Sequence, residues 1–426
     1  MKRPVWHPRY TKPLVLGALT FVAYWAAINR AQTLPWVVAA LLGATLITGV
    51  SWPHWLVKRL SVTRSGPQRA QEGDSITFHV ELENHGWLPR FMVELVDRLP
   101  FVGAATGAAS HGDKILGVVA YVAGGGMRRL AVPLICEKRG FYRLGPVGLA
   151  SSFPLGLAEA RQQRNDGVQT LTIYPAVFTI MALPLHGAIS QIHRGGYLLP
   201  EGAGAAEFSS LREYRRGDNP RHVHWRTTAR RNELMVKEFE PLASACLYIA
   251  LDQAMDAEVG AGRHTSFEYA VRIAASIANY ASDKRIPTRL IGRGERTLSI
   301  PAGSGEFHYQ GVLDELAVLD ANGATPYARV LEQVAVDSLH GETVVVFLSE
   351  PDVRLPDTVQ ALAMLRARGA NLFAVVFERD SFLSPSASAN PTPAGPTAIA
   401  LANLLELDAH CLLIRRGDDL VQRFNT

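Results

Sequence analysis

Cysteine is nearly missing from this chain. Cys136, Cys246 and Cys411 are the only 3 in 426 residues, far apart and with no Cys-x-x-Cys pair. That excludes a zinc knuckle and a disulfide framework and fits a reducing compartment. An excess of either charge is also lacking: 43 basic and 39 acidic side chains leave a net charge of +4. Any basicity that matters must therefore be local. No phosphate-binding Walker loop, His-Glu-x-x-His pair or hydrolytic triad motif occurs. The glycine turns "GRGER" and "GAGAA" do not have the strand–loop–helix spacing of a nucleotide site, so no enzyme is expected. Charged residues are few, 19% of the chain, which points to membrane content.

Two uncharged segments supply it. "PLVLGALTFVAYWAAIN" covers about 13–29 and "LPWVVAALLGATLITGVSWPHWLV" covers about 34–57. A spanning helix needs ~20 apolar residues, within a range of ~17–25, so the pair predicts a tight transmembrane hairpin. Lys2, Arg3, Arg9 and Lys12 precede it, and Lys58, Arg59, Arg64 and Arg69 follow it. The excess of positive charge on the inner side then puts both ends in the cytoplasm, with lipid as a partner of the hairpin. Trp6, Trp25, Trp36, Trp52 and Trp55 fall where interfacial aromatic belts belong.

The body divides by pattern. Over 60–184, "SITFHVELEN", "RRLAVPLIC" and "QTLTIYP" read as short strands between Gly- and Pro-rich turns, predicting a small β-sandwich. An arginine-rich segment fills 185–242. Over 243–426 strands and helices alternate: "ACLYIALD", "TRLIG", "ETVVVFLSE" and "NLFAVVFE" are strands separated by helical patterns. This predicts an α/β, Rossmann-like, mostly parallel sheet with helices on both faces. "SPSASANPTPAGP" reads as a loop and "AHCLLIRRGDDL" as a terminal strand. Ligands of such a sheet gather at the carboxyl ends of its strands, where Asp252 and Ser349-Glu350 lie.

"EFSSLREYRRGDNPRHVHWRTTARR", Glu207 to Arg231, holds seven arginines and three acids. Asn219 and Pro220 suit a helix start, and "ELMVKEFE" reads as a strand. On that helix His222, Arg226 and Arg230 would form one basic stripe, and Trp225 would pack inward beside Arg221. Nucleic acid is a poor fit, because stacking aromatics are too few. Two alternatives stay open for Glu207, Arg212, Tyr214, Arg215, Arg216, Asp218, Arg221, Trp225, Arg226 and Arg230. One is a structural brace to Glu207, Glu213, Glu233 and Glu238; the other is docking of an acidic partner.

This motif, with the apolar hairpin and "KRGFYRLGPVGLASSFPLGL", resembles the bacterial family called domain of unknown function fifty-eight. The resemblance implies a von Willebrand factor A-like α/β domain and a partnership with MoxR-type AAA+ ATPases. It implies a non-enzymatic adaptor or scaffold rather than a defined activity; a structural cell-envelope scaffold is an alternative. The family pattern usually has Asp where this chain has His224, which puts that position's role in doubt. Von Willebrand A domains often hold Mg²⁺ through Asp-x-Ser-x-Ser, a threonine and a later Asp. Here Asp252, Asp256, Thr325 and Glu350 match that set only in part, since Ala254 replaces the first serine. A divalent-metal-dependent ligand site is the further alternative.

Overall fold

The computed structural model describes residues 11–30, 33–102, 114–163, 166–183, 206–214, 223–231, 233–241, 246–339, 341–349, 351, 353–383 and 395–425. The chain forms two compact units, Met1–Ala176 and Val177–Thr426. The helical pair shares its unit with the β strands that follow.

In the first unit, α1 (Thr11–Arg30) and α2 (Thr33–Leu56) run antiparallel, both long and apolar enough to cross a membrane. Small residues let them approach. A Cβ on Gly17 would lie 3.9 Å from Leu46, and one on Gly43 3.8 Å from Thr20. Tyr24 meets Trp36 edge-on at 5.4 Å near the turn. Most of their large apolar side chains are exposed, which in a water-soluble helix pair would be costly.

Ten strands follow. One sheet orders β1 (Leu60–Ser65), β3 (Ser75–Asn84) and β6 (Met127–Ile135). A second orders β5 (Lys114–Val122), β4 (Arg90–Asp97), β8 (Gly148–Ser151) and β9 (Ala160–Gln163). Buried and exposed residues alternate along most of β3, so its apolar set faces one way. Val80 and Leu82 from β3 share a core with Val93 and Leu95 from β4 and Leu149 from β8, so the two sheets face each other. A third sheet, β2 (Arg69–Gln71), β10 (Gln169–Tyr174) and β7 (Gly140–Leu144), closes a second core around Phe101, Leu144 and Ile173.

The second unit opens with an antiparallel ribbon, β11 (Ala206–Glu213) and β12 (Met235–Pro241), with the short α3 (Trp225–Arg231) between them. Its main sheet has the order β17-β16-β13-β18-β19-β20. These strands are Thr297–Gly303, Thr288–Arg293, Leu247–Leu251, Thr343–Leu348, Asn371–Phe377 and His410–Ile414, while the short β14 (Gly260–Ala261) and β15 (His264–Thr265) pair with each other apart from it. Five run parallel and edge strand β17 is antiparallel, so the sheet is mixed. On one face Tyr248, Ala250, Val344, Val346 and Ala374 pack with α6 (Tyr327–Asp337), α7 (Leu355–Ala367) and α9 (Pro396–Glu406). The opposite parity is buried too. There α4 (Ser266–Asp283) lies against β13 and β16, and Phe377 meets Phe382 of α8 (Arg379–Leu383) edge-on at 6.0 Å. Helix α5 (Glu306–Ala317) packs beside α4, and α10 (Leu420–Asn425) ends the chain with Phe424 against Phe373. Gly369, at φ +87°, closes α7 with the left-handed residue that lets Ala370 N–H reach Leu365 O at 3.1 Å.

Several elements differ from expectation. β17 was not anticipated, because its polar–apolar run is short and follows a glycine turn. Neither α9 nor α10 was anticipated; of the Pro/Ser/Ala loop, 384–394 lies outside the described residues. The helix expected from Asn219 starts only at Trp225. Asn219 and Pro220 lie outside the described residues, while Val223 bridges Val236 and His224 N–H bonds Met235 O at 2.8 Å. Pairing with β12 holds residues 223 and 224 out of the helix, which carries Arg226 and Arg230 of the expected stripe, while His222 lies outside the described residues.

Candidate functional site

Two places collect the candidate residues. The first is the arginine-rich ribbon. His224 stands at the start of α3, where its carbonyl accepts from Thr228 N–H at 3.1 Å. Its Nδ1 lies 2.8 Å from Thr227 Oγ and accepts from Thr227 N–H at 3.3 Å. The imidazole therefore caps the helix, the work an Asp side chain would do there. At the other side Thr228 Oγ accepts from Met235 N–H at 3.0 Å and ties α3 to β12. The helix has no buried residue.

Trp225 does not pack inward: it is 68% exposed. Arg226, Arg230 and Arg231 are exposed as well, and among the described residues no ion pair holds any of the three. Tyr214 is half-buried, its N–H bonded to Leu234 O at 2.8 Å. The side chains of Glu207 and Arg212, and all of Arg215, Arg216, Asp218 and Arg221, lie outside the described residues. For the arginines that are described, a brace is not what the geometry provides.

The second place is the carboxyl end of the central strands. β13 pairs with β16 on one side and β18 on the other, so chain direction across the sheet changes here. Asp252, buried, accepts from Ala254 N–H at 2.9 Å through Oδ1. Gln253 lies across the glycines of the neighbouring loop, where a Cβ on Gly292 or Gly294 would come within 2.3 Å of it. Asp256 pairs with Arg354 at 2.8 Å. Arg379 donates to the carbonyls of Ser349 and Asp256, the latter at 3.4 Å. Thr325 is half-buried in the loop before α6, and Glu350 lies outside the described residues.

This donor set does not fit a divalent ion. Hard cations want several oxygens in octahedral array. Ala254 offers none, the carboxylate of Asp256 is engaged by a guanidinium, and no three Asp, Glu, His or Cys side chains come together among the described residues. Two arginines, Arg354 and Arg379, sit where a cation's charge would be needed. Neither was singled out from sequence, since single arginines after strands carry no signal.

At the opposite, amino end of the strands lies a buried polar cluster. Arg289 donates to Tyr248 Oη at 2.6 Å, and Tyr248 donates to Asp337 O at 3.0 Å. Glu342 Oε2 accepts from Leu339 N–H at 2.7 Å. Burial pushes the Glu342 carboxyl up despite Arg289 nearby, pushes the Cys246 thiol up to about 11 and pushes Tyr248 up to about 12. A thiol so disfavoured as thiolate is a packing residue, not a nucleophile.

With that geometry in place, known proteins add one label. Residues 210–383 match the family described as "Protein of unknown function DUF58". The matched stretch runs from within β11 to the end of α8, so it takes in the arginine ribbon and four of the five parallel strands. A curated relative, "Uncharacterized protein YeaD" of Bacillus subtilis (strain 168), is 29% identical over 157 residues, 37% of this chain and 34% of its own length. The chain thus spans about a third of that relative. Among solved structures, the CARDB domain of PF1109 from Pyrococcus furiosus is 12% identical, covering 27% of this chain and 94% of its own, with a TM-score of 0.20. A superoxide reductase (neelaredoxin) from Ignicoccus hospitalis is 16% identical, covering 26% of this chain and 79% of its own, with a TM-score of 0.17.

Proposed function

We propose that this protein is a membrane-anchored, non-enzymatic interaction module in which α3 docks an acidic partner surface, the partner being a MoxR-type AAA+ ATPase. The α1–α2 pair anchors it in a bacterial inner membrane, and the β strands of the first unit together with the second unit lie in the cytoplasm. The sheet of the second unit is von Willebrand factor A-like: a mainly parallel sheet with helices on both faces and an Asp closing the central strand supports that. Two facing sheets around one core support a sandwich-like first unit.

One observation carries the docking role: Trp225 stands exposed among the exposed Arg226, Arg230 and Arg231 on a helix with no buried residue. Trp and Arg are the side chains that most often anchor protein interfaces, and a large exposed indole invites a cover. Free guanidinium groups suit bidentate recognition of carboxylates. Co-purification from detergent tests it. The full chain should retain an AAA+ ATPase in at least one nucleotide state, and Trp225→Ala with Arg226→Glu should weaken retention about 30-fold, the scale of an interface hot spot of ~2 kcal/mol. Retention unchanged in the variant, or absent from the wild type in every nucleotide state, overturns the proposal.

A further inference from the structure

Several of the first unit's exposed large apolar side chains lie at the end where α2 enters, although Ile115, Ile135 and Phe141 are exposed elsewhere on it. β1 begins at Leu60, just after α2, and Leu60 pairs with Asn84 at the far end of β3. The β3–β4 turn, the β5–β6 turn and the β8–β9 connection therefore crowd around the helix, while Ser75, at the start of β3, lies roughly 30 Å away along a ten-residue strand.

The three connections carry apolar tips. Trp87 in the β3–β4 turn is 81% exposed and Met127 after the β5–β6 turn is 58% exposed. Tyr121 meets Phe91 at a tilt with ring centres 5.5 Å apart, and Phe91 lies 6.3 Å from the exposed Phe153 of the β8–β9 connection. Buried Asn84 locks two of the turns, donating to Leu88 O at 2.9 Å and Ala123 O at 3.0 Å. The rim is thus built in advance, not a set of stray side chains.

Its height against α2 decides what covers it. A Cβ on Gly49 would sit 2.5 Å from the Leu157 side chain and 3.3 Å from that of Leu155. Gly49 lies seven residues before the end of α2, or roughly 10 Å at ~1.5 Å per residue. It also precedes the interfacial Trp52 and Trp55, which contact each other at 5.5 Å. The β8–β9 connection therefore reaches below the level at which α2 leaves an apolar layer. Two of its amides are satisfied internally: Gly156 N–H bonds Ser152 O at 2.8 Å and Phe153 N–H reaches Ser151 Oγ at 3.4 Å. Basic groups border the apolar tips. Lys58 and Arg59 are exposed, Arg128 lies beside Tyr121, and buried Arg90 stacks 3.8 Å over Trp55 while donating to Lys58 O.

We infer that this rim is a third membrane contact, lying in the headgroup and upper acyl region of an anionic bilayer, with the β8–β9 connection wedged against α2. Aromatic tips with flanking lysine and arginine are what such a layer accepts, and the basic groups answer anionic headgroups. The inference rests on the reading of α1 and α2 as a membrane anchor. It adds that the β unit is seated on the surface and is not swinging from it.

A photoreactive benzophenone amino acid placed singly at Phe153, Trp87, Val37 and Ser75 of the full chain tests it. All four side chains are exposed, so no core packing is lost. The protein is reconstituted in phosphatidylethanolamine–phosphatidylglycerol vesicles, irradiated, and lipid adducts are read by mass spectrometry. Phe153 and Trp87 should give adducts alongside Val37 in α2, about tenfold above the distal Ser75, the contrast between interfacial and aqueous positions. Adducts at Val37 with none at Phe153 and Trp87 overturn the rim while leaving the anchor standing. None at Val37 overturns both.

Discussion

Tyr327 shows how one side chain can hold the centre of the sheet. It is fully buried, donates to Ala250 O at 2.6 Å and accepts from Phe347 N–H at 3.2 Å. These two groups belong to β13 and β18 at the point where their ladder stops, since Ala250 pairs with Val346 and no further pair follows. The hydroxyl substitutes for the missing rung. Removing it by Tyr327→Phe leaves a buried carbonyl and a buried N–H unpaired, and should cost about 1–3 kcal/mol of stability by denaturant unfolding. A loss below the scatter of the measurement would mean water fills the gap. The sequence "PYARV" shows a helix start there but nothing of this bond, because both acceptor and donor lie tens of residues away in the chain. Asp252 was legible for the opposite reason: its place follows from the apolar strand it closes.

At the scale of elements, α3 is the instructive case. An arginine-rich run with Asn-Pro at its head predicts a helix from Asn219 and an inward tryptophan, yet the helix starts at Trp225 and the indole is exposed. Local propensity lost to strand pairing: the bridge of Val223 to Val236 sets where the helix can begin, and His224 then serves as its cap. His224→Ala should lower stability by about 1 kcal/mol, whereas His224→Asp should retain or raise it, since a carboxylate caps and also suits the positive helix end. Equal loss in both variants, read by the melting of this ribbon in hydrogen exchange, would refute the cap. The long buried strands and amphipathic helices were legible because their patterns are dictated by burial on one or both faces. Edge strand β17 and helix α9 were not, being short, partly polar and adjacent to glycine and proline.

For the whole molecule, two compact units predict two unfolding transitions rather than one. The Val177–Thr426 transition carries a pH signature from Glu342, whose carboxyl is raised by burial above its ordinary 4.5. A raised carboxyl contributes stability that is full below the unfolded value and fades as pH rises through the folded one. Glu342→Gln should therefore gain on the wild type as pH climbs above about 4.5, with the Met1–Ala176 transition unmoved; a difference flat with pH would refute it. The sequence alone determined the apolar helix pair, the strand-rich stretch after it and the alternation of strands and helices, because each is a matter of local hydrophobic period and length. Only the tertiary structure decided which residues share a site. It placed Arg354 on Asp256, left Trp225 exposed and set the aromatic rim beside α2, since contacts between distant segments depend on strand pairing and packing that no local pattern encodes.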